Sequence, residues 1–327
     1  MKKGYLIIAI TAVLLFTWVM AHISLSSMVE QVKAIRIALP IVLTLSTLRL
    51  YLQSLTWSAS LEGEHLSVER GKLAAVRLAS QSIGYLTVLG PVVSEPMKIK
   101  LLGTPAEPTI TATFLDNGVY WFTSALIVIS GLLSLAFFGV HGPRYRSIAV
   151  VVVLSLALCV ITRRNPILAA ASRRLGVRAP SWLARAERFE TSLRNYRQEQ
   201  PALVRHMFWI GVSCQLLIAG EVVVVLWTLH LPVHFLAVLA IEGVTRALKL
   251  VSGWIPARLG SDEGGAISAF AIAGFSPMLG LALALTRRVR DLLWALIGII
   301  WLAWNSRAAN DETGHTARLQ AVMKEVM

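Results

Sequence analysis

The residues able to do chemistry in this chain are acids and bases set into apolar sequence. Glu95, Asp116, Glu221, Glu242, Asp262, Glu263 and Asp291 lie in or at the edge of apolar segments, as do Lys98, Arg246, Lys249, Arg258, Arg287, Arg288 and Arg290. An ionised side chain at membrane depth must be paired or face a polar cavity, which makes each one a binding candidate with a partner to be named. Bond-making chemistry leaves no comparable trace. The chain has no glycine-rich phosphate loop, no Asp-x-Asp and no His-x-x-x-x-Asp, and His230 and His234 flank Pro232 without a carboxylate partner. The expectation is a binding protein and not an enzyme, with no catalytic residue, no metal and no cofactor.

Spacing groups these residues. Glu95 and Lys98 are three apart and share a helix face. Pro96 suits the first turn of a helix, whose free N–H groups would hold a phosphate together with Lys98. A local ion pair explains the same two residues without a ligand. Glu242, Arg246 and Lys249 fall at i, i+4 and i+7, one polar stripe of a helix. Arg287, Arg290 and Asp291 share a face, followed by Trp294, Trp301 and Trp304, a pattern that marks an interface more often than a ligand site. Glu263 is expected to pair with Arg287 or Arg288. The alternative is that Ser261 caps a half-helix whose first turn Asp262 and Glu263 stabilise. The predicted substrate-binding residues are Glu95, Lys98, Glu242, Arg246, Glu263, Arg287 and Arg288.

The elements that must position them are membrane helices. With 56% hydrophobic and 15% charged residues over 327 positions, the chain lies outside the soluble range. Runs long enough to cross a bilayer fall at about 5–23, 37–57, 118–140, 147–162, 203–229, 232–252 and 286–305. The expected class is all-α, a polytopic integral membrane protein of about 7–9 transmembrane helices. Lys2 and Lys3 before an apolar run would also suit a signal peptide, but the length favours an uncleaved first helix. Two further segments, near 80–103 and 256–285, are apolar but broken by Gly and Pro, so each crosses or only dips in. Such interruptions in corresponding places point to duplicated halves, an inverted repeat, meeting at a central site.

The formal charge of +13 is concentrated. Ten Arg and three Glu fall between Arg163 and Arg205, which places that loop and the N-terminus in the cytoplasm. Within it, Pro180-Ser181-Trp182 opens an amphipathic helix, either interfacial or a solvated linker. Anionic lipid is the expected partner there, and nucleic acid is not, because no aromatics interleave these Arg residues. The domain reading is one membrane domain over 1–306 (first half 1–162, basic loop 163–203, second half 204–306), then a polar tail over 307–327. Cys159 and Cys214 read as small apolar packers.

Motifs in both broken segments carry a resemblance. Pro256-Ala-Arg-Leu-Gly-Ser-Asp-Glu-Gly-Gly, then Gly274-Phe-Ser-Pro, then Arg287-Arg-Val-Arg-Asp-Leu-Leu-Trp294 resembles the transmembrane, flippase-like region of lysylphosphatidylglycerol synthases. Pro91-Val-Val-Ser-Glu-Pro-Met-Lys98 is similar to that family's earlier P-x-x-G-G-E-P-x-K stretch, with Ser94 replacing a Gly and Asp116-Asn117 standing where Glu-Arg is common. With Glu242 upstream, the later motif most resembles the branch associated with hopanoid biosynthesis. The resemblance implies a bacterial inner-membrane protein that moves or presents a lipid (anionic, isoprenoid or hopanoid-type) between leaflets, without catalysis. The rival expectation is a non-transporting accessory to a lipid-modifying enzyme.

Overall fold

The computed structural model describes residues 25–87, 90–138, 199–251 and 260–326. The expected spans at 5–23 and 147–162, most of the basic loop with its amphipathic helix, Cys159, and residues 256–259 of the later motif lie outside them. The described residues form eight helices and no strand: α1 Leu25–Gly63, α2 Arg70–Leu86, α3 Gly90–Leu102, α4 Ala106–Phe138, α5 Pro201–Thr228, α6 Phe235–Val251, α7 Ser261–Ile272 and α8 Pro277–Val326. Three are long and apolar enough to cross a membrane, over Arg36–Gly63, Ala106–Leu135 and Pro201–Thr228.

Expected spans and observed helices differ in instructive places. The span expected from 118 begins at Ala106, because Glu107 and Asp116 are carried inside one continuous helix. The 232–252 span is α6, described over Phe235–Val251. The 286–305 span is the middle of α8, which starts at Pro277. Outward-facing Trp209, Trp227, Phe235, Leu296 and Trp304 leave a surface suited to lipid contact.

Both broken segments are helix hairpins. Helix α2 stops at Leu86 and α3 begins at Gly90, where a Cβ would lie 2.5 Å from the Gly84 carbonyl oxygen. Gly274 takes φ 86°, open to glycine, and lets the Phe275 N–H reach the Phe270 carbonyl at 2.9 Å to close the end of α7. Helix α8 then folds back so tightly that a Cβ on Gly280 would meet the Ala266 carbonyl oxygen at 2.4 Å.

The described helices run long, short, short, long twice, α1 to α4 and then α5 to α8 with α6 and α7 the short pair. The packing follows the same order. Helix α1 packs on α5, the α2–α3 contact is matched by α6–α7, and α2 against α8 is matched by α6 against α4. A glycine sits at both of the last two crossings. A Cβ on Gly131 of α4 would lie 2.3 Å from the Leu239 carbonyl oxygen of α6, and one on Gly298 of α8 would lie 2.9 Å from that of Leu78 on α2. The larger apolar core joins α4 through α8 around Val222, Ile241, Phe270 and Leu283, and a smaller one packs Trp57, Leu73, Val76 and Leu102.

Candidate functional site

Each half of the helix bundle buries a cluster of charge where α1, α2 and α4, and again α5, α6 and α8, meet. In the first half, Arg77 of α2 donates to Asp116 Oδ2 of α4, and both side chains are about 95% shielded. Thr56 of α1 donates to the other oxygen, Oδ1, at 2.6 Å. The Arg77 guanidinium stands 5.5 Å from the centre of the Trp57 ring, whose Nε1 donates to Thr113 at 3.2 Å. One carboxylate is thus divided between a cation and a hydroxyl.

The second half carries a larger network. Arg287 of α8 donates through Nε to Glu221 Oε2 on α5 at 3.0 Å, and through Nη2 to Glu242 Oε2 on α6 at 2.7 Å and the Ile218 carbonyl at 3.2 Å. Arg290 donates to Glu221 Oε1, and its Nε to Asp291 Oδ1 at 2.9 Å. Arg246 donates to Glu242 Oε1 at 2.7 Å, to Gln215 Oε1 and to Ser124 at 3.2 Å. Glu221 and Glu242 are each about 99% buried, so every carboxylate oxygen must be satisfied by protein. All four are.

The two clusters occupy corresponding positions. Thr56 and Glu221 each stand seven residues before the last residue of their helix. Arg77 and Glu242 are each the eighth residue of their helix. Asp116 and Arg287 are each the eleventh residue of theirs. The cross-helix pair persists while its sign inverts: cation on α2 and anion on α4, but anion on α6 and cation on α8.

The hairpins repeat this arrangement one residue further on. Asn117, next to Asp116, donates to Glu95 Oε2 at 2.7 Å, and Lys98 donates to both Glu95 oxygens at 2.9 and 3.0 Å. Arg288, next to Arg287, donates to Glu263 Oε1 through Nε at 3.0 Å and Nη2 at 2.6 Å, and through Nη1 to the Tyr85 hydroxyl at 3.0 Å. Glu263 is fully buried, whereas the Glu95 side chain is 32% exposed. Lys249 approaches Asp262 at 3.6 Å.

These contacts sort the predicted residues. Glu95 and Lys98 form the local ion pair. The phosphate reading of that pair is not supported, because Pro96 lies inside α3, which begins at Gly90, so no free first-turn N–H groups stand beside Lys98. Glu263 takes Arg288, and Arg287 belongs with Glu221 and Glu242. Arg246 joins that same network, while Lys249 of the expected stripe turns to Asp262. Arg290 and Asp291 do share a face, and Trp294 Nε1 donates to Ser46 at 2.9 Å. His230 and His234 fall in the loop between α5 and α6, and no metal-binding group of His, Cys, Asp or Glu exists among the described residues. Cys214 is buried.

Sequence reasoning missed Arg77, Thr56 and Tyr85. Arg77 lies in Arg70-Gly-Lys-Leu-Ala-Ala-Val-Arg77, which reads as a polar connection between spans. Its signal is its register: it stands eighth in its helix, as Glu242 does. Beside the Arg77–Asp116 pair lies a small void, bordered by Gln53, Thr56, Tyr120 and Cys214, with room for about one water. No family model, no curated protein and no solved structure matches this chain.

Proposed function

We propose that the chain moves or presents a lipid head group between membrane leaflets, and that its halves form an inverted repeat within a polytopic bundle of 7–9 spans. The observation that carries this reading is the pair of broken segments, each holding a buried or half-buried acid against a polar side chain of the following long helix, Glu95 against Asn117 and Glu263 against Arg288. Interrupted segments in corresponding places of two halves point to a transporter's binding site. The reading also rests on the resemblance to the flippase-like region. In it, Glu95, Lys98, Glu263 and Arg288 contact the head group. Arg246, Arg287 and Glu242 are positioning residues that hold α5, α6 and α8 together beneath it. The N-terminus and the 163–205 loop face the cytoplasm of a bacterial inner membrane, where the loop meets anionic lipid.

The test is lipid movement in proteoliposomes made with the full chain, followed by dithionite bleaching of a fluorescent anionic lipid. The native protein should expose inner-leaflet probe faster than empty vesicles, and Lys98→Glu should remove the increment while folding is retained. A native protein no faster than empty vesicles would leave the accessory reading, in which the chain anchors a lipid-modifying enzyme.

A further inference from the structure

We infer that Glu263 Oε2, which no side chain among the described residues satisfies, is the seat of a monovalent cation. In the first half both oxygens of Glu95 are taken, Oε1 by Lys98 and Oε2 by Lys98 and Asn117. In the second half Arg288 spends two donors on Glu263 Oε1, and Oε2 is buried with no hydrogen-bond partner. The difference traces to one residue. Lys98 stands three positions after Glu95, and Ala266 stands three positions after Glu263. The ammonium that one hairpin carries on its own helix is missing from the other. A buried carboxylate oxygen left bare is costly, and a cation placed there removes the cost.

The bare oxygen lies where two acids meet two bases. The Glu263 side chain is fully buried at the start of α7. On α8 it meets Arg288, whose other branch is held by Tyr85 of α2. On its own helix Asp262 adds a second buried oxygen without a hydrogen bond, Oδ1, 3.6 Å from Lys249 Nζ of α6. Among the described residues, Glu263 thus meets a guanidinium that reaches its Oε1 and the Tyr85 hydroxyl, with an acid–base pair alongside. Two sources match the chemistry, an alkali or ammonium ion from solvent and the ammonium of a lipid head group. The inference rests on α3 and α7 being counterparts and is independent of lipid movement.

Thermal unfolding of the detergent-purified full chain, read by tryptophan fluorescence, tests it with sodium or ammonium chloride titrated against choline chloride at constant ionic strength. The expected result is a saturable rise in Tm of roughly 2–4 °C, absent in Glu263→Gln. A rise in detergent assigns the solvent ion. A rise seen only in nanodiscs containing phosphatidylethanolamine, and not in phosphatidylglycerol alone, assigns the head group. Ala266→Lys brings a tethered ammonium to Oε2 and should abolish the response, and it decides the matter if Glu263→Gln fails to accumulate. Lys98→Ala should create a second response at Glu95. No rise in either medium, or an equal rise in Glu263→Gln, overturns the inference. A native chain that binds the cation yet moves no lipid keeps it and loses only the transport reading.

Discussion

The first-half cluster and the second-half cluster hold corresponding helices with opposite arrangements of charge. Between α2 and α4 the pair is Arg77 with Asp116, and between α6 and α8 it is Glu242 with Arg287. Sign is therefore not what these positions demand. They demand that two helices present complementary groups at the same depth, where an unpaired charge is expensive. The halves differ also in how much they bind together. Thr56 adds a neutral hydroxyl to its pair, whereas Glu221, at the matching place, adds a second acid and draws in Arg290. The second half thus converges three helices on one guanidinium, and the first half converges three on one carboxylate.

Removing the centre of each cluster separates the two most sharply. Arg287→Gln leaves both Glu221 and Glu242 short of a cation, a loss at or above the 3–5 kcal/mol of a broken buried pair, read as a fall in Tm of the purified protein. Arg77→Gln strands the single carboxylate of Asp116, which keeps Thr56, and should cost about 3 kcal/mol. The exchange Arg77→Asp with Asp116→Arg sharpens the comparison. If position matters and sign does not, each single variant loses stability and the double variant recovers at least half of the summed loss. A double variant as unstable as the sum breaks the equivalence.

Smaller effects test the hairpins. Gly280→Ala drives a methyl into the Ala266 carbonyl and should cost about 1–3 kcal/mol. Gly264→Ala on the same hairpin meets open space, and should be neutral or stabilise by up to about 1 kcal/mol through helix propensity. Equal effects of the two substitutions in a melting series would contradict the tight packing of α7 on α8.

Much of this arrangement was legible in the sequence, because acids and bases are conspicuous in apolar runs. Glu95, Lys98, Glu242, Arg246, Glu263, Arg287 and Arg288 all take partners, and both breaks in the apolar pattern became helix hairpins. The choice among neighbours was not legible. Arg287 and Arg288 are adjacent, and only the rotation of about 100° per residue around α8 sends one inward to Glu221 and Glu242 and the other to Glu263. Arg77 escaped for a different reason. Its helix is too short and too polar to register as a span, and its partner lies on another helix, so nothing local marks it.

The glycine crossings have a consequence in time. Each short helix, α2 and α6, is gripped by the long last helix of the opposite half, with backbone against backbone at Leu78 and Gly298 and at Leu239 and Gly131. During synthesis α4 is already made when α6 emerges, so α6 finds its cradle waiting. Helix α2 has no such cradle until α8 leaves the ribosome at the far end of the chain. The first half must therefore wait with one wall open, and a chain truncated before Gly298 would lose the seating of a helix completed long before.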